Sequence, residues 1–153
     1  MRMWHYGILP YLPDMQLKGQ LRELIAIMHM WRDRGTPNHL LVNNILYFPK
    51  EHFFKYFMIY DQVYFERFKK QVNKKYLKEF MEFCEVTDTM MELYRFQSKE
   101  IYPGWHGREY LRVCMTNLYE KYKFGIGKNK ICCSDWQRLC EGYFYNTGEE
   151  FHI

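Results

Sequence analysis

The sequence lacks a long hydrophobic run and the short motifs that mark common nucleotide and metal sites. No stretch approaches the ~18 apolar residues that a membrane span requires, and no uninterrupted apolar segment of the kind found in secretory signals follows Met1–His5. A glycine-rich phosphate loop, a nucleophile elbow and a pair of metal-binding carboxylates are also missing. These absences predict a cytoplasmic protein without a membrane span, a metal site or a cofactor.

Glycine and proline are sparse, with 9 and 5 residues in a chain of 153. Together with the 48% hydrophobic residues, this composition excludes a collagen-like or disordered chain. The cysteines number five, and an odd count without a secretory signal favours reduced thiols. The spacing of Cys132, Cys133 and Cys140 with His152 fits no common zinc pattern. We therefore interpret the cysteines as buried or incidental thiols.

Aromatic side chains, by contrast, are abundant, since 14 Tyr, 12 Phe and 4 Trp make up 20% of the chain. Aromatic rings are first of all core material, and they also stack on nucleic-acid bases. The 22 basic residues exceed the 18 acidic ones, so the net charge is +4. A mildly basic balance permits nucleic-acid binding but is weak evidence for it.

Hydrophobic periodicity predicts an all-α fold. We expect Asp14 to be the N-cap of a helix that runs to Arg34, because apolar residues recur there at helical spacing. The other predicted helices cover residues 60–83, within a helical region over 50–83 with a break near 60–61, and residues 108–123, 87–100 and 134–145. Strand signals are poor throughout. The prediction is a compact single domain over 1–153, with three principal helices, irregular loops and an extra C-terminal helical segment within 125–153.

Two features of this pattern are candidates for chemistry. Glu23 lies in the middle of the first helix, and Gly19 and Ala26, about one turn away on either side, leave room for another group to approach its carboxylate. An ordinary solvated glutamate is the alternative interpretation. Basic residues also recur between Arg67 and Lys78, a pattern typical of either a phosphate-binding surface or the solvated face of a helix.

Several segments, taken in order along the chain, resemble a known family. Residues 12–24 read LPDMQLKGQLREL, residues 65–70 read FERFKK shortly after Tyr60-Asp61, and residues 118–121 read LYEK. In this order they resemble three helices of the pyrimidine dimer DNA glycosylases, the family of bacteriophage endonuclease V. The resemblance covers residues 1–83 and a patch near 105–123, and it finds no counterpart for residues 125–153.

The resemblance implies a DNA repair glycosylase with abasic-site lyase activity, which excises ultraviolet pyrimidine dimers through an imine on the N-terminal α-amine. The site residues that it implies are Met1 and Glu23 for catalysis, and Arg2, Arg22, Lys121, Arg67 and Lys70 for DNA binding. It implies lesion-bearing double-stranded DNA as the partner, a monomer, and neither a cofactor nor a metal.

The chain departs from the family pattern at its terminus and at two positions where the family has arginine. The family exposes a small first residue after methionine removal, whereas the large Arg2 predicts that Met1 is retained. Ala26 and Asn117 stand where the family has arginines. The alternatives that stay open are a non-catalytic helical nucleic-acid-binding protein, a glycosylase for another damaged or modified base, and a structural helical protein whose aromatic residues are only core.

Overall fold

The computed structural model describes residues 2–96 and 100–153, apart from the side chains of Arg95 and Phe96. These residues form α-helices and short 3₁₀ helices, and no β-strand occurs among them. The α-helices are α1 (Asp14–Arg34), α2 (Lys50–Phe68), α3 (Lys74–Cys84), α4 (Asp88–Phe96), α5 (Arg108–Phe124) and α6 (Cys133–Thr147). The 3₁₀ helices are Tyr6–Tyr11, Asn43–Tyr47 and Gly127–Asn129. The predicted all-α fold is confirmed.

Four of the predicted helices coincide with observed ones. Helix α1 has the predicted bounds, α5 ends one residue beyond the predicted 108–123, and α6 contains the predicted 134–145. Helix α4 lies within the predicted 87–100, of which residues 97–99 fall outside the described residues. Hydrophobic spacing identifies α1, α5 and α6 because each of them buries apolar side chains in a protein interior.

The predicted helix caps differ from the observed ones. The N–H of Leu17 donates to the carbonyl of Pro13 at 2.9 Å, so Pro13 holds the N-cap position and Asp14 is the first helical residue. At α6 the N-cap is Cys132, without a capping hydrogen bond from its side chain. Ser134 and Gln137 have the spacing that predicts a capping box at the start of this helix, but both lie inside α6, so that prediction is wrong by two positions.

The predicted helix over 60–83 is two helices, and the chain breaks at residues 69–73 rather than near 60–61. Lys69 ends α2 in the left-handed conformation with φ 54°, and its N–H donates to the Phe65 carbonyl at 2.8 Å. Asn73 then begins α3 by accepting a hydrogen bond from the N–H of Lys75 at 2.9 Å. A continuous run of basic and apolar residues conceals this break, because lysine is a good helix former.

The described residues group into two units that alternate along the sequence. The first unit comprises residues 2–3, 21–96 and 100–103, and the second comprises residues 4–20 and 104–153. Helix α1 therefore contributes to both units. The single domain over 1–153 stays a prediction.

Aromatic rings form the core of the first unit. The rings of Phe57 on α2 and Phe80 on α3 stack with their centroids 4.1 Å apart and their planes 8° apart, and Phe53 packs against Phe80 at 5.3 Å. The fully buried aromatic side chains of α2 and α3 are Phe53, Phe54, Tyr56, Phe57, Tyr60 and Phe80. Because each such ring removes roughly 150–250 Å² from water, aromatic burial is the main stabilising contribution of this unit.

In the second unit, the 3₁₀ helix Tyr6–Tyr11 and helix α5 both pack on α6. The Arg138 guanidinium of α6 donates to the carbonyls of Tyr11 at 3.3 Å and Leu12 at 3.2 Å. Gly142 of α6 faces the Tyr11 ring so closely that a Cβ would lie 2.4 Å from a ring carbon. These contacts hold the N-terminal part of the unit against α6.

Two buried histidines cap the start of this 3₁₀ helix. His5 Nδ1 accepts a hydrogen bond from the N–H of Gly7 at 3.0 Å, and His106 Nδ1 accepts one from the N–H of Tyr6 at 3.3 Å. His5 Nε2 donates to the carbonyl of His106 at 2.8 Å, and the two rings stack with their centroids 5.3 Å apart. Each Nδ1 is therefore an acceptor, which requires both imidazoles to be neutral. Burial lowers the pKa of His5 to about 4 and holds the pKa of His106 well below its ordinary value.

These histidines predict a loss of stability in mild acid. Between pH 6.5 and 4 the unfolded chain protonates His5 while the folded chain does not, so the free energy of unfolding falls as the pH is lowered through this range. The pKa change of His5 corresponds to about 3 kcal/mol. The variant His5→Asn keeps an acceptor for the Gly7 N–H but does not titrate, so its melting temperature should fall less between these pH values. The control His152→Asn should lose as much melting temperature over this pH range as the parent does. An equally steep loss in His5→Asn would contradict this account.

Candidate functional site

The carboxylate of Glu23 lies at the boundary between the buried and exposed faces of α1. Leu24 and Ile27 are fully buried, Glu23 is half-buried and Arg22 is exposed. Successive residues of a helix point about 100° apart, so the apolar positions that bury one face of α1 leave Glu23 at its edge. The fold therefore keeps the carboxylate partly shielded from water and within reach of another group.

That group is the N-terminal backbone. The N–H of Arg2 donates a hydrogen bond to Oε2 of Glu23. The neighbouring Met3 is fully buried in the same unit, which anchors the terminal segment beside α1. The site thus joins two residues that the sequence separates by 21 positions.

A second polar residue of α1 binds the same stretch of chain within the second unit. The Oε1 atom of Gln20 accepts a hydrogen bond from the N–H of Trp4 at 2.8 Å, and the Gln20 side chain is buried. Sequence reasoning missed Gln20, although a signal exists: it lies three residues after Leu17 and four before Leu24, so this polar side chain occupies the buried face of α1. A buried amide requires a hydrogen-bond partner, and Trp4 supplies it.

The catalytic residue predicted at position 1 is not among the described residues. The catalytic roles that the resemblance implies for Met1 and Glu23 require the Met1 nitrogen to lie near the Glu23 carboxylate, and this proximity stays a prediction. The structure brings Glu23 together with the backbone of Arg2, whose own side chain is half-buried.

The predicted DNA-binding residues are distributed over both units. Arg22 is exposed on α1 and forms no ion pair with the part of the chain that the structure describes. Arg67 is half-buried, Lys70 is exposed, and both belong to the first unit together with Glu23. Lys121 is half-buried near the end of α5 in the second unit, where its carbonyl accepts hydrogen bonds from the N–H groups at positions 125 and 131.

The aromatic cluster at the N-terminus is structural. Trp4 and His5 are buried, and the His5 and Tyr6 rings stack on each other with their centroids 4.8 Å apart. Base stacking requires exposed ring faces, so this cluster is core of the second unit. The interpretation of the cysteines as buried thiols holds for Cys84 and Cys114, and burial raises the pKa of the Cys84 thiol to about 12.

Residues 2–96 and 100–153 contain neither a metal-binding group of side chains nor a membrane-spanning helix. No group of three or more His, Cys, Asp or Glu side chains comes together there in a way that could hold a metal ion. Within the same residues, every helix is too short or too polar to cross a bilayer.

Comparison of the chain with protein-family models, with curated protein sequences and with solved structures gave no match. The candidate site therefore rests on its own geometry and on the ordered sequence motifs.

Proposed function

We propose that this protein is a DNA glycosylase with abasic-site lyase activity, which excises ultraviolet pyrimidine dimers and uses the α-amine of its first residue as the nucleophile. The observation that carries this proposal is the hydrogen bond between the Arg2 N–H and the Glu23 carboxylate. Three covalent bonds separate the α-nitrogen of residue 1 from the Arg2 nitrogen, so covalent geometry limits their distance to under about 4 Å. An acid on α1 thus stands beside the chain end that the resemblance identifies as reactive.

The chemistry of an α-amine suits this role. Its ordinary pKa is about 7.7–8.0, well below that of lysine, so a useful fraction is neutral near pH 7 without burial. The neutral amine attacks C1′ of the damaged nucleotide, forming a C–N bond while the glycosidic bond breaks. The base takes one proton and stays joined to its dimer partner. The C1′–O4′ bond then breaks, the ring oxygen becomes a hydroxyl with the second proton of the amine, and the nitrogen forms an imine to C1′.

The imine makes strand cleavage possible. It acidifies the proton at C2′, whose removal expels the 3′ phosphate by β-elimination, and water later releases the protein amine. Glu23 stabilises the cationic sugar that develops as the base leaves, and its carboxylate relays protons between the amine, the sugar and solvent. Because C1′ is covered in an intact duplex, a nucleotide must leave the stack for the amine to reach it.

In this proposal the basic side chains bind the DNA phosphates. Arg22 directly precedes Glu23 in the chain, and the backbone of Arg2 is hydrogen-bonded to the Glu23 carboxylate. In this proposal the two arginine side chains hold the phosphates beside the lesion. Lys121, Arg67 and Lys70 are the other basic residues to which this proposal assigns contacts with the DNA backbone. The net charge of +4 favours the encounter with a polyanion.

Neutralising Arg22 should weaken duplex binding and flatten its salt dependence. Each phosphate contact contributes about 0.9 to the slope of log K against log salt, so Arg22→Gln is expected to lower the slope by about that amount in a titration of irradiated duplex. The matched control is Arg34→Gln, an exposed arginine at the far end of α1. Equal salt-dependence slopes in the two variants would show that Arg22 does not contact DNA phosphates.

The direct test of the proposed activity follows base excision and strand nicking separately on ultraviolet-irradiated duplex. Free base is measured after photochemical reversal of the dimer, because the excised base otherwise stays joined to its partner. The mature N-terminus is determined in parallel, because the mechanism requires the α-amine of Met1 to be free. Release and nicking of irradiated but not intact duplex support the proposal. Binding of irradiated duplex without cleavage favours a non-catalytic nucleic-acid-binding protein, and cleavage only of other damaged or modified substrates favours a glycosylase with a different target.

A further inference from the structure

The segment of residues 67–78, here called the basic segment, is the most strongly charged surface of the first unit. It contains six cations and no acid. Five of the cations are exposed lysines: Lys69, Lys70, Lys74, Lys75 and Lys78. A cluster of one sign on a surface binds a partner of the opposite sign, and a polyanion is the partner that fits a linear series of lysines.

Hydrogen bonds hold the backbone of this segment in one conformation. Lys69 is bonded through its N–H to the Phe65 carbonyl, and the N–H of Val72 donates to Oδ1 of Asp61 at 3.4 Å. The side chain of Val72 is buried. The turn between α2 and α3 is therefore fixed at both ends, and its lysines are displayed on a rigid support.

The carboxylates near the basic segment accept hydrogen bonds from groups of the protein itself. Asp61 binds the Val72 N–H, and Glu66 accepts a hydrogen bond from the Gln62 amide at 3.1 Å. Both acids therefore have internal donors, and Glu79, which lies near Lys75, is paired with His29 at 2.9 Å. The five exposed lysines outnumber these three carboxylates, so the surface stays positive.

Aromatic rings lie among these lysines. Phe65 is 47% exposed one helical turn before Lys69. Tyr76 is half-buried, with the Lys75 ammonium 5.9 Å from the centroid of its ring. An exposed phenylalanine beside lysines indicates a ligand with more than phosphates to offer. The face of its ring can stack on a flat group such as a nucleic-acid base.

We propose that the basic segment and Phe65 form a binding surface for single-stranded nucleic acid. The lysines contact successive phosphates: Lys74 and Lys78 are one helical turn apart, about 6 Å along α3, a spacing comparable to that of phosphates along an extended strand. Phe65 stacks on an unpaired base, whose face is accessible in a single strand and covered in a duplex. The inference goes beyond the proposed base excision and does not require it.

The test measures binding of a fluorescent 12-nucleotide single strand and of the corresponding duplex, each over a salt series. The wild-type protein should bind the single strand with an affinity that falls as the salt concentration rises. Phe65→Ala should weaken single-strand binding at least about fivefold, the lower end of the effect of one stacked base, with no comparable effect on the duplex. Phe65→Tyr, which keeps the ring, should restore the affinity, and Lys69→Gln with Lys70→Gln should reduce the single-strand salt slope by about 1.4.

Matched variants in the second unit control for general effects. Phe144→Ala removes a ring that is 55% exposed, and Lys128→Gln with Lys130→Gln removes two exposed lysines. Equal losses of single-strand affinity in the matched variants, or an equal loss of duplex affinity in Phe65→Ala, would overturn the proposal. Glu23→Gln should bind the single strand as the parent does, so failure of the proposed excision chemistry is distinguishable from failure of this surface.

Discussion

Glu23→Gln is expected to abolish base release and strand nicking on irradiated duplex while the folded protein still binds the DNA. Glutamine keeps the size of the side chain and an oxygen that accepts the Arg2 N–H, so the terminal segment should stay in place. The variant loses the negative charge that stabilises the cationic sugar and the group that moves protons. General acid–base catalysis alone is typically worth about 10²–10⁴ in rate, and loss of charge stabilisation adds to that effect.

The measurement is a single-turnover assay of both steps, together with a binding titration. Affinity for irradiated duplex should be unchanged or higher, because a carboxylate facing phosphates repels them in the ground state. The control is Glu82→Gln, which neutralises an exposed glutamate of α3 in the same unit. Full activity in Glu23→Gln would contradict the assignment of this residue as catalytic.

Blocking the α-amine should cause a loss of the same order without changing Glu23. An acetyl group or a short N-terminal extension turns the amine into an amide, whose nitrogen is not nucleophilic, so no imine can form. Both steps should disappear together, because in this mechanism they share one nucleophile.

The matched control places the same extension at the C-terminus, where Ile153 is 72% exposed. That protein should release the base and cleave the strand as the parent does. If the N-terminally extended protein remains active, the nucleophile is a different group, and Glu23 with Arg2 is a structural contact.

The helices follow from the sequence to different degrees. The bounds of α1 were predictable because a regular apolar stripe ends at the Gly35–Pro37 turn. The break between α2 and α3 was not, because it depends on a left-handed Lys69 and on the distant acceptor Asp61. Left-handed lysines are uncommon, and a contact across 11 residues leaves no periodic signal.

The candidate site was predictable only in part. The position of Glu23 in α1 follows from hydrophobic spacing, and the ordered motifs around it identify Glu23 as a candidate catalytic residue. Its hydrogen bond to the Arg2 backbone does not follow from either, because backbone donors are present at nearly every residue and carry no side-chain signal. The role of Gln20 could have been inferred, since a polar side chain on a buried face requires a partner.

Borohydride trapping on irradiated duplex tests the central claim most directly. Reduction converts an imine between protein and deoxyribose into a stable amine, and mass spectrometry of the digested adduct identifies the modified residue. The account predicts a covalent adduct on the α-amine of Met1 that requires both irradiation and borohydride and is lost in the N-terminally extended protein. An adduct on a lysine side chain, or efficient strand cleavage with no trapped adduct, would contradict it.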